Sequence, residues 1–81
     1  MNIFEDGVFG LTRILPGETK TFSLSRIDGM SATVVAIVTP GNYVDVVPFG
    51  STSVVVNPVS EVGYAVRISG FSGEPIELTI T

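Results

Sequence analysis

The sequence has no cysteine, no histidine and no tryptophan in its 81 residues. Each absence closes off chemistry. Without cysteine there is no zinc–thiolate site, no iron–sulfur cluster, no thiol nucleophile and no disulfide. Without histidine the commonest general base is missing, and serine or cysteine triads of the usual kind cannot be assembled. Charge is also scarce: Asp, Glu, Lys and Arg make up 15% of the chain, against about 25% in an ordinary domain. Only four residues are basic, Arg13, Lys20, Arg26 and Arg67, and they are scattered. That leaves no basic patch to follow a phosphate backbone, so no nucleic-acid partner is expected. No run approaches the roughly 18 apolar residues of a membrane span, and no membrane partner is expected either. The opening "MNIFEDGVFG" lacks the positive region and the apolar run of a signal peptide. With Met1 as the native start, export by the usual route is not expected.

Apolar residues are abundant, at 44% of the chain. That share argues against disorder, and the length fits one domain with one small core. Turn signals recur roughly every ten residues, at Pro16-Gly17, Asp28-Gly29, Pro40-Gly41, Gly50-Ser51, Asn57-Pro58 and Ser72-Gly73. Between them lie short runs rich in Val, Ile, Thr, Phe and Tyr. This pattern predicts an all-β fold, a single antiparallel β-sandwich of about seven strands. A small β-barrel is the alternative. The expected strands are Val8 to Leu15, Thr19 to Arg26, Ala32 to Thr39, Tyr43 to Pro48, Thr52 to Asn57, Tyr64 to Ser69 and Pro75 to Thr81. Residues 8–81 form the domain in this reading. Residues 1–7 form an N-terminal arm outside the sheet; if it docks on a partner, deleting Asn2 to Asp6 should weaken assembly while the melting temperature of the isolated domain barely moves.

Alternation gives each strand its inner face. Phe22 and Leu24 face in, as do Tyr64, Val66 and Ile68, and then Ile76, Leu78 and Ile80. The middle of the chain breaks the rule. From Ala32 to Asn57 the valines come in adjacent pairs and triples, so both faces of three neighbouring strands are apolar. Val34, Ala36 and Val38 share one face, and Val35 and Ile37 share the other. Only one face can meet the opposite sheet. The second is expected to form a patch of several hundred Å², large enough to mark an interface. Loops covering a tight barrel are the rival explanation.

Side chains that could carry chemistry are few. Glu5 and Asp6 are adjacent and would point apart on a strand. Glu74 and Glu77 stand on a rim. Both pairs read as solvated surface acids rather than as a glycosidase pair. Asp28-Gly29 reads as a turn, not a calcium loop. Asp45 interrupts "YVDVV" and reads as a charge that discourages edge pairing, with a partner-facing salt bridge as the minority reading. Phe9 is assigned to the core. Tyr43, Phe49 and Phe71 lie near turns and suit lids on the sandwich ends. Ile3 and Phe4 sit in an apolar arm that either folds back or docks on a neighbour. No catalytic, metal or cofactor site is assigned. The candidate partner-facing residues are Ile3, Phe4, Val35, Ile37, Tyr43, Asp45, Val47 and Val55.

Three segments resemble an immunoglobulin-like domain of the bacterial and phage type. "LPGETKTFSLS", Leu15 to Ser25, is similar to that family's first turn and second strand. "SEVGYAVRISG", Ser60 to Gly70, is similar to its corner and sixth strand, with Tyr64 where the tyrosine of a tyrosine corner would sit. "EPIELTIT" resembles its last strand. The resemblance implies an immunoglobulin-like Greek key. It implies that the Tyr64 hydroxyl bonds to backbone near Pro58 to Glu61. The family's cysteine pair is replaced here by Val66 with Phe22 or Leu24, and its tryptophan by Val35 or Ile37.

The expected function is structural and non-enzymatic. A lone β domain with no catalytic set, an apolar surplus and an apolar arm resembles small phage capsid decoration, or cement, proteins. That resemblance implies assembly in the host cytoplasm onto a virion, with the major capsid protein and copies of itself, often as trimers in that class, as partners. The alternative is an adhesion or carbohydrate-binding module of a larger extracellular or periplasmic protein. A small inhibitor using Gly70 to Pro75 as its wedge is a third class.

Overall fold

The computed structural model describes residues 1–58 and 62–81. Among them are eight strands and no helix: β1 (Asn2–Ile3), β2 (Gly7–Ile14), β3 (Lys20–Leu24), β4 (Ser31–Thr39), β5 (Asn42–Pro48), β6 (Ser53–Val56), β7 (Val62–Ser69) and β8 (Ile76–Ile80). They form two four-stranded antiparallel sheets, in the orders β1-β8-β3-β6 and β2-β7-β4-β5. The chain is therefore the all-β, two-sheet antiparallel sandwich that the turn spacing predicts.

The pairings describe how it wraps. β1 pairs with β8, β2 with β7, β3 with β6 and β4 with β5. That is one long antiparallel ribbon, with its bend at the β4–β5 turn. The ribbon then rolls so that β3 also meets β8 and β4 also meets β7. Eight strands rolled in this way make a jelly roll. The immunoglobulin order would set the last strand beside β7 and the first long strand beside β3. Here β8 lies beside β3 and β2 beside β7. The ribbon explains the exchange, because β1 precedes β2 and takes β8 into its own sheet.

The N-terminal arm is thus corrected. Asn2 pairs with Glu77 and Ile3 with Ile76, and the Ile3 side chain is 0% exposed in the core. Met1 extends the ladder: its ammonium donates to the Leu78 carbonyl, and the Leu78 amide donates to the Met1 carbonyl. A two-residue strand is too short to show alternation, so it escaped a reading based on period. Its one inward side chain is nevertheless a full member of the core.

That core lies between the sheets. Phe22, Leu24, Ile76 and Leu78 from one sheet meet Ile14, Val34, Tyr64, Val66 and Ile68 from the other. Phe9, Phe71 and Val47 pack against this cluster, and Phe49 is buried in it. The inward sets expected of β3, β7 and β8 are the ones observed. Two polar clasps hold the β7–β8 loop at one end. The Arg26 guanidinium donates to the Ser72 and Glu74 carbonyls, and the Phe71 amide donates to the Asp6 carboxylate at 2.6 Å. No buried side-chain nitrogen or oxygen lacks a partner among the described residues.

Candidate interaction surface

The two outer faces differ in chemistry. On the β1-β8-β3-β6 sheet the outward positions include Thr21, Ser23, Ser53, Glu77 and Thr79, with Val55 as the apolar exception. On the β2-β7-β4-β5 sheet they include Leu11, Ala65, Val35, Ile37 and Tyr43, with Arg67 and Asp45 among them. The apolar second face that the valines announce is therefore confined to one sheet.

Part of that face is closed by the sheet itself. Val35 is 0% exposed and Ala65 is buried too, although neither belongs to the core cluster. Arg67 stands opposite Thr33 on β4, and Asp45 stands opposite Val35. Their ion pair, at 2.5 Å, therefore runs diagonally over β4. It lies where a partner would have to touch Val35. Val35 is thus corrected from a partner-facing residue to a buried one. Asp45 is exposed, and its salt bridge is made within its own chain.

Two other parts of this sheet stay open. The first lies toward β2. Leu11, Thr12, Arg13, Ile37 and Gly63 line an open depression of about 310 Å³. Gly63 is its floor. A β-carbon there would lie 3.3 Å from Leu11 Cδ1 and 3.6 Å from Ile37 Cδ1, so a side chain at this position would press on both and project into the depression. Leu11 is 72% exposed beside it. A register shift between Phe9 and Thr12 helps to turn Leu11 outward.

The second lies at the opposite edge. β5 pairs with β4 alone, and most of its residues are exposed on both faces. Val44 stands opposite the inward-facing Ala36, yet it is 53% exposed. Val38 and Val46 are open as well, as is Tyr43 on the outer face. The ribbon tip is uncovered because β6, the edge strand of the other sheet, spans only four residues against seven in β5. Val46 is the extra residue of a bulge between the Val34 and Val35 pairings.

The remaining candidates divide. Phe4 is exposed in the β1–β2 link, and Val55 is exposed on β6. Ile37 is half-buried at the depression. Val47 is corrected: it faces inward opposite Val34 and packs against the core. Ile3 is core, as above. Tyr64 is buried in the core, and most of the backbone expected to receive its hydroxyl, near Pro58 to Glu61, lies outside the described residues. Leu11, Val38, Val44 and Val46 are exposed residues that the candidate set missed. Their exposure comes from bulges and from unequal strand lengths, which alternation does not carry. No group of three or more acidic or other metal-binding side chains comes together among the described residues. Compared with models of known families, with curated proteins and with solved structures, the chain matches none.

Proposed function

We propose that this chain is a non-enzymatic structural protein of a virion, one that decorates the shell and stabilises it through protein–protein contacts. The observation that carries the reading is one sheet with open apolar surface at both edges. Leu11 and the Gly63 depression lie toward β2, and the Val38, Val44 and Val46 ribbon lies at β5. A protein that cements a shell must hold two neighbours at once, and two separate contact surfaces on one body meet that need. Many weak, repeated contacts then add to a firm attachment. The polar outer face of the other sheet suits the side left in solvent. Jelly rolls also recur in capsid proteins, but they recur in lectins and cupins too, so the fold adds only analogy. In this reading the depression faces the major capsid protein.

The test is localisation in the source cells. Gold-labelled antibody against the chain should mark capsid-like shells in the electron microscope. The chain should sediment with those shells through a density gradient. Finding it only in slow-sedimenting fractions, with shells unlabelled, would reject the proposal.

A further inference from the structure

We infer that the β5 edge is a self-association site, where two copies of this chain pair β5 against β5 about a twofold axis. This goes beyond attachment to a shell and does not depend on it.

Four edge strands are available. β1 has two residues and β6 has four. Both long edges carry register shifts, but the one in β2, between Phe9 and Thr12, falls in mid-strand with Gly10 at φ +70°, whereas Asn42 to Asp45 of β5 alternate regularly up to the bulge at Val46. β5 offers seven residues, with one side of its backbone free of any strand. Proteins usually guard such an edge with lysine, proline or a charge standing over it. In β5 the bulge at Val46 and Pro48 guard only the far end; from Asn42 to Asp45 the only charge is Asp45, and Arg67 of the same chain neutralises it.

A second copy fits this edge by symmetry. An edge strand laid antiparallel against itself is self-complementary, the geometry of a closed dimer. The period of two then limits the register, because inner face meets inner face only when some residue opposes its own copy. Centring on Asp45 would set carboxylate against carboxylate. Centring on Tyr43 would set Val44 against Asn42. Centring on Val44 sets valine against valine on the axis itself, and leaves Asn42 opposite only the bulged Val46 toward the strand ends. On the outer face it sets Tyr43 of each copy opposite the neutralised Asp45 of the other. Pairing two seven-residue strands gives a small interface, toward the low end of specific ones, which should clear about 1,000 Å². The dimer is therefore weak in solution and strengthened wherever copies are concentrated.

The test is solution mass by light scattering, from about 10 µM to 1 mM, on the wild type, V44D and V55D. Val44 and Val55 are both largely exposed, so both variants should fold, which thermal unfolding checks. The wild type should rise toward twice the 8.5 kDa chain mass. V44D puts two carboxylates on the axis and should weaken association at least about tenfold. V55D should match the wild type. A wild type that stays at the one-chain mass to 1 mM overturns the inference. So does one that closes as a trimer, or a V44D that associates as tightly as the wild type.

Discussion

Replacing Ile3 by alanine tests whether the first three residues belong to the core. Ile3 is fully buried, it pairs with Ile76, and it lies among the largest buried side chains of the protein. Truncating a buried isoleucine to alanine costs about 2–5 kcal/mol, the transfer of the lost carbons plus the cavity they leave. Ile3 lies on a two-residue edge strand that can partly collapse, which favours the lower half, about 2–3 kcal/mol. For a domain of this size each kcal/mol shifts Tm by roughly 4–8 °C, so the expected fall is about 10–20 °C. Phe4→Ala is the matched control. Its side chain is 65% exposed, and its effect should stay within about 0.5 kcal/mol. Circular dichroism melts, with urea titrations at 25 °C to give the free energy, measure both. Equal and small shifts for the two variants would show that β1 is a loose arm, and the core assignment would fail.

Further substitutions probe the sheets. Gly10→Ala forces a side chain into a left-handed backbone conformation, with a β-carbon 2.5 Å from Leu78 Cδ2; a loss of about 1–3 kcal/mol in urea unfolding is expected. Asp45→Asn removes an ion pair whose side chains are 37% and 63% exposed; stability should change by less than about 1 kcal/mol, and the difference should shrink in added salt. Gly63→Val fills the depression from its floor; shell attachment in a co-sedimentation assay should be lost while β5 self-association stays at the wild-type level.

The sheet class was legible because β3, β7 and β8 alternate cleanly. Phe22, Leu24, Tyr64, Val66, Ile68, Ile76 and Leu78 all lie where their period puts them. The apolar second face was legible only in part, in the paired valines of β4 and β5: the third strand expected to share it, β6, lies in the other sheet, and Val35 is buried. What alternation cannot encode is which strands meet. β1 finds β8 across almost the whole chain, and the exchange of β2 and β8 relative to the immunoglobulin order follows from that contact. Nor does it say how a face is covered. Val35 looked exposed because its neighbours in sequence are apolar. The residues flanking it in space, Ala65 on β7 and Asp45 on β5, come from elsewhere in the chain. Leu11 and Val46 owe their positions to bulges, where the period of two fails.

The central claim is that this protein acts through the two open edges of its β2-β7-β4-β5 sheet. Hydrogen exchange on the chain, alone and mixed with capsid-like shells purified from the source cells, tests it most directly. The account predicts slower exchange on binding at Leu11 to Arg13 and at Asn42 to Val46, with β3 and β8 unchanged. Protection confined to β3, β6 and β8, with both edges exchanging as in the free chain, would contradict it.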